Sequence, residues 1–146
     1  MLIVLEGCDG TGKSTVANNL KQVIHDAEIV HCTRFTPNDF RFFLDLIEAS
    51  KTKNIIADRF CYGQFVYQTL EERPLDEDEL IDLEVQMIAA GAKVIHVCAS
   101  VDEIKDRLNL RGEETSLPVE DICNGFLDLF ERTLIKPFVW WTGSDC

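Results

Sequence analysis

Two periods of apolar spacing alternate along this chain, and the switches between them mark out its elements. Short apolar runs at Leu2 to Glu6, Glu28 to Cys32, Asn54 to Ala57 and Lys93 to Ala99, with a weaker one at Phe138 to Trp141, predict strands. Between them the spacing is helical. Val16, Leu20, Val23 and Ile24 follow Lys13 on one face, and Phe40, Phe43, Leu44 and Ile47 do the same from Asn38. Asp76 and Glu79 form a capping box that opens a helix over Asp76 to Ala90, and Ser100 and Glu103 repeat it ahead of Ile104 and Leu108. A last helix from about Pro118 carries Ile122, Phe126, Leu129 and Phe130 and should stop before Pro137, whose ring cannot continue it. Strands that alternate with helices predict an α/β fold, a mostly parallel sheet covered on both faces.

The 146 residues suit a single domain spanning 1–146, with no repeat, low-complexity tract or linker. A net charge of −12 argues against a role that needs broad contact with a nucleic acid polymer, because such contact takes a basic surface. Small anions must instead be met locally by clustered cations. Six cysteines are scattered without a CxxC pair, which reads as reduced thiols used as packing in a cytoplasmic protein. No apolar run is long enough to span a bilayer, so no membrane partner is expected.

In a parallel sheet of this kind the ligand lies beyond the carboxyl ends of the strands. The segment after the first strand, Gly7-Cys8-Asp9-Gly10-Thr11-Gly12-Lys13-Ser14, is a complete GxxxxGK[ST] phosphate loop set between a strand and a helix. Its glycines let the backbone turn tightly, so that N–H groups and the helix start face phosphate oxygens. Lys13 would reach the outer phosphates and the Ser14 hydroxyl would help hold a magnesium ion, which implies ATP and Mg2+ as cofactors. After the later strands come Thr33-Arg34-Phe35-Thr36-Pro37, Asp58-Arg59-Phe60, Ser100 and Thr142 to Asp145. Arg34 and Arg59 stand where a second phosphate would need forked donors. Asp58 is either a turn residue or a carboxylate that orients magnesium through water.

Glu6 to Thr15, EGCDGTGKST, with Asp58 to Gln68, DRFCYGQFVYQ, resembles the thymidylate kinase family, whose members pair a GxDGxGKST loop with a DRY segment leading to Tyr-Gln. The Arg34-Phe35 pair with Pro37 is similar to that family's arginine-containing loop. The resemblance implies a three-layer α/β/α P-loop kinase fold with a mostly parallel, five-stranded sheet. It also implies roles for residues. Gly7, Gly10, Thr11, Gly12, Lys13, Ser14 and Thr15 would cradle ATP, with Asp9 on the acceptor sugar's 3'-hydroxyl. Arg59 and Arg34 would grip the acceptor's monophosphate, Asp58 would position metal-bound water, Tyr67 would pack on the deoxyribose and Gln68 would lie near the base. Gly10 occupies a position where one branch of the family keeps an arginine, so the catalytic arginine would come from the lid, with Arg111 first and Arg107 second. Thr142 to Asp145 could give backbone contacts to adenine.

This chain is short for that family, and its lid from Arg111 to Pro118 is brief and acidic. Gly63 and Gln64 replace the small polar residues usual after the DRY segment. Between Pro37 and Asn54 there is room for one helix, where Phe40, Arg41 and Phe43 either stack on and edge-bind a base or are ordinary core beside a solvated arginine. The resemblance makes the activity ATP-dependent phosphoryl transfer to a deoxynucleoside monophosphate, dTMP to dTDP before others. Alternatives are a kinase for a nucleoside or another small hydroxyl, with Asp58 recruited as base, and an ATP-binding regulatory domain without an acceptor. A homodimer is implied too, through the helices between Phe60 and Ala90.

Overall fold

A strand with no exposed side chain runs through the middle of this protein. In the computed structural model, which describes residues 1–32, 40–73 and 76–143, strand β1 (Leu2–Glu6) is buried at every position. The element order continues with α1 (Lys13–Val23), β2 (Glu28–His31), α2 (Phe40–Ala49), β3 (Ile55–Asp58) and α3 (Cys61–Leu70). It ends with α4 (Glu77–Ala89), β4 (Lys93–Cys98), α5 (Val101–Leu110), α6 (Val119–Arg132) and β5 (Phe138–Trp141). All pairings are parallel, and the sheet order is β2-β3-β1-β4-β5. The expected five-stranded α/β sheet is therefore present, parallel throughout.

Alternation along the central strands divides the core between two faces. Ile3 and Leu5 of β1, with Ile56 and Val97, pack against Val16 and Ala17 of α1. Leu2 and Val4, with Ile55, Ala57 and Val94, face the larger layer built by the remaining helices. There Phe43 meets Phe60 edge-on at 4.7 Å between ring centroids, and Tyr62 packs on Phe130 at 5.2 Å. This layer is tied across by one buried carboxylate. Glu84 accepts from Tyr62 Oη at 3.0 Å, Leu134 N at 3.0 Å and Ile135 N at 2.9 Å, so its burial leaves neither oxygen unpartnered.

Helix starts follow the sequence. Asp76 Oδ1 accepts from Glu79 N and Ser100 Oγ accepts from Glu103 N, each at 3.2 Å, and Pro118 stands at the entry of α6. Helix α3 buries Cys61, Tyr62, Phe65 and Val66, a stripe at helical spacing, with Gly63, Gln64, Tyr67 and Gln68 only partly buried around it. Along α4, Ile81, Val85 and Ile88 remain exposed, on the surface where the resemblance would pair two copies. Strand β5 is exposed along its length at the sheet edge. Among the described residues no helix is long and apolar enough to cross a membrane.

Candidate active site

The loop after β1 is shaped by positions that exclude side chains. Gly7 has φ +152°, and a Cβ there would lie 2.4 Å from the Val97 carbonyl oxygen, so only glycine fits between β1 and β4. Gly10, at φ +85°, faces Leu108 and Ile104, where a Cβ would meet side-chain carbons at 3.2 and 3.3 Å. The packing of α5 thus leaves no room for an arginine in the loop. Thr11 Oγ1 donates to Cys8 O at 2.8 Å and folds the turn back on itself. Lys13 crosses beneath it, its Nζ donating to Gly7 O at 2.9 Å and Cys8 O at 2.8 Å. Burial lowers the affinity of this amine for its proton, and the nearby Asp58 and Glu6 carboxyls work against that.

The tip of β3 stands beside the loop because of the strand order. Parallel register sets Asp58 across from Leu5 on one side and from His31 on the other. Ser14 Oγ donates to Asp58 Oδ2 at 3.1 Å, and His31 Nδ1 lies 3.1 Å from the same oxygen. Two hard oxygen donors so placed are what magnesium takes when phosphate oxygens and water complete its octahedron, so Ser14 and Asp58 fit that ion. Arg59 follows in a left-handed conformation, φ +72°, pinned by its N–H donating to Leu5 O at 2.9 Å. That turn throws the guanidinium back toward the loop. There it forms an ion pair with Asp9, both side chains about one-third exposed.

One cavity of about 590 Å³ joins these groups. Asp9, Gly10, Gly12, Lys13, Ser14 and Thr15 line its loop side, and Asp58 and Arg59 line the side under β3. Arg111, the residue that ends α5, reaches it from the lid, 3.9 Å from Glu113. The phosphate-loop motif and the Asp9–Arg59 pair share one opening.

No family model matches the chain. The SPbeta prophage-derived uncharacterized protein YorR of Bacillus subtilis (strain 168) is 30% identical to it over 150 residues, covering 98% of this chain and 90% of YorR. The chain belongs to the YorR family. The crystal structure of Bacillus subtilis YorR in complex with phosphorylated GDP matches 97% of this chain and 86% of that one, with a TM-score of 0.82 at 29% identity. The YorR fold is shared more widely. Thymidylate kinase from Candida albicans matches with a TM-score of 0.65 at 16% identity, over 99% of this chain and 84% of that one. Deoxyadenosine kinase from M. mycoides with bound dATP matches with a TM-score of 0.56 at 20% identity, over 95% and 90%. The fold is that of the P-loop kinases, and the thymidylate kinase resemblance of the two motif blocks stands at that level.

Other residues read from the sequence have different surroundings in this YorR-family chain. Gly7 and Thr11 are buried beneath the cavity. Arg107 braces the loop against the end of β5, donating from Nη1 to Gly10 O at 3.0 Å and to Thr142 Oγ1 at 3.1 Å, and from Nη2 to Thr142 O at 3.2 Å. Thr142 N in turn donates to Cys98 O at 2.9 Å. Phe40, Tyr67 and Gln68 are not among the described residues that line the cavity, and Phe40 and Tyr67 pack at the margin of the core. Arg34 lies outside the described residues, as do 35–37 and 144–146. His31 and Cys32, which have no role in the sequence reading, and Glu113 of the acidic lid also line the cavity. The structure ends the second strand at His31, one residue short of the expected Cys32, which puts this pair at the strand tip.

Two buried groups give folding an opposed dependence on pH. Glu6 is wholly buried, and burial pushes its carboxyl up to about 8 from an ordinary 4.5, against the pull of the Gly63 N–H and the Lys13 charge. His96, packed against Phe126 and Phe130 at 5.7 and 5.1 Å, is held down to about 4 from 6.5 by burial and then by Lys13. The folded chain keeps a proton on Glu6 that the unfolded chain releases, so that stabilisation is full below 4.5 and gone above 8. His96 acts in reverse. Its contribution is present above 6.5 and lost as pH falls toward 4, so between 6.5 and 8 the histidine is silent. Urea midpoints of the wild type are expected to fall across that upper window, and the fall should flatten in Glu6→Gln. Equal declines in both proteins would rule out the buried carboxyl as the source.

Proposed function

We propose that this protein transfers the terminal phosphoryl group of ATP to the phosphate of a nucleoside monophosphate. The observation that carries the reading is the single cavity in which Lys13 and Ser14 of the phosphate loop face Arg59 and Asp9. An anion on each side of such an opening would lie head to head, which is the geometry that phosphoryl transfer needs. The phosphorylated GDP in the YorR complex and the kinase fold of the other neighbours support it.

In this reading the acceptor oxygen is already an anion, so the site needs no strong base. Lys13 and Arg111 would neutralise charge on the phosphoryl group in flight, while Arg59 leaves Asp9 to hold the acceptor phosphate in line. Ser14 and Asp58 would hold magnesium, which would supply positive charge against the phosphate oxygens. His31 steadies the shared Asp58 oxygen. That oxygen is already taken by Ser14 and His31, which favours a metal-orienting role over proton removal from a nucleoside hydroxyl. The sequence resemblance points to dTMP as acceptor, and the YorR complex adds guanine nucleotides to the candidates.

A panel of nucleoside and deoxynucleoside monophosphates, including dTMP, dGMP and GMP, should be assayed with ATP and magnesium for ADP release and diphosphate formation. Strong acceptor dependence with one or two bases is expected. ADP release that ignores the acceptor would point to the regulatory alternative and defeat the proposal.

A further inference from the structure

The first turn of α3 has a capping problem that another strand solves. The initial N–H groups of a helix have no partner within it, and the residue before the helix usually supplies a side-chain acceptor to the second or third of them. Here that residue is Phe60, which cannot accept a hydrogen bond. Instead Gly63 N, the third helical amide, donates to Glu6 Oε2 at 2.7 Å, and the Phe60 N–H also turns toward this carboxyl. Glu6 is the last residue of β1 and stands directly before the phosphate loop. The cap therefore comes from the strand that carries the ATP cradle.

Unlike Glu84, Glu6 is costly where it stands. It is fully buried, and among the described residues its Oε1 has no hydrogen-bond partner. Its seat is cut to size by Gly63, where a Cβ would come within 3.1 Å of Oε1. An apolar residue would fill such a position at lower cost, unless the bond to α3 is itself needed. Between the two anchor points, Arg59 N and Gly63 N, lie only Phe60, Cys61 and Tyr62. Arg59 N is tied to Leu5 O, and Gly63 N is tied to Glu6, so consecutive residues of β1 grip both ends of the turn that aims the guanidinium. Because Arg59 is held at positive φ, a loosened helix start would let that turn relax.

We infer that Glu6 is a positioning residue for Arg59: its carboxyl caps α3 from β1 and so fixes the acceptor-side arginine in the same frame as the phosphate loop. The link to acceptor binding rests on the proposed function, whereas the link to the turn does not. Hydrogen exchange on the ligand-free protein tests the second alone. In Glu6→Ala the Arg59 and Gly63 amides should exchange at least about tenfold faster, the equivalent of losing one cap, with α1 amides unchanged. Glu6→Gln, which keeps a carbonyl acceptor for Gly63, should restore wild-type protection. With the acceptor chosen by the panel, Glu6→Ala should raise its KM by roughly tenfold and leave the KM for ATP within about twofold, and Gln should rescue. Wild-type protection at Arg59 and Gly63 in Glu6→Ala, or a Gln variant as loose as Ala, overturns the inference. Should Glu6→Ala not fold, Gly63→Ala decides, since its methyl crowds Oε1. Faster exchange at Arg59 supports the inference and unchanged exchange sinks it. A wild type that phosphorylates no monophosphate removes the proposed function, and the exchange result still judges the cap.

Discussion

Replacing Lys13 by alanine is expected to slow phosphoryl transfer by roughly two to three orders of magnitude, the scale of losing one well-placed donor to transition-state charge. The fold should survive. Lys13 is a buried amine that now bonds only the Gly7 and Cys8 carbonyls, and burial already weakens its hold on a proton. Its removal relieves a desolvated charge while freeing two loop carbonyls, and these changes oppose each other. ATP should still bind through the loop N–H groups, more weakly. Single-turnover assays beside thermal melts check this, and near-normal turnover by a folded variant would deny Lys13 its role.

Arg59→Ala is the second large effect. A loss of roughly 10²- to 10³-fold in kcat/KM for the acceptor is expected, as when one partner of a shielded charge pair is cut away. Asp9 would then face the incoming phosphate unpaired, like charge to like charge. Arg59→Lys should recover only part of the loss, because a lysine keeps the charge without the planar fork. The KM for ATP serves as the internal control. Equal weakening of ATP and acceptor would mean that Arg59 supports the whole cavity rather than its acceptor half.

Much of this was legible in the residues themselves. Gly7 to Ser14 is legible locally, since a phosphate-loop motif is a set of glycines that allow particular backbone conformations, with a lysine and serine at fixed offsets. The strands and five of the six helices follow from apolar period and capping residues, which are also local. Helix α3 keeps that period too, in Cys61, Tyr62, Phe65 and Val66, but the sequence reading of its segment rests on its motif and not on its spacing. The surroundings of Glu6 were hidden for a different reason: a glutamate at the end of a strand reads as a solvated terminus, and nothing nearby marks it as buried.

What the sequence by itself determined is the set of parts: a mostly parallel α/β sheet, a phosphate-loop motif, and an Asp-Arg pair at the tip of a later strand. Which of these tips are neighbours was decided by the tertiary structure alone. The order β2-β3-β1-β4-β5 brings β3 beside β1, so Asp58 meets Ser14 and His31 across the register, and Arg59 turns back to Asp9. The same packing turned Arg107 into a brace between Gly10 and Thr142 and left Arg111 to face the cavity. Strand adjacency arises from contacts between segments some fifty residues apart, and local apolar spacing carries no record of which distant strand will lie alongside.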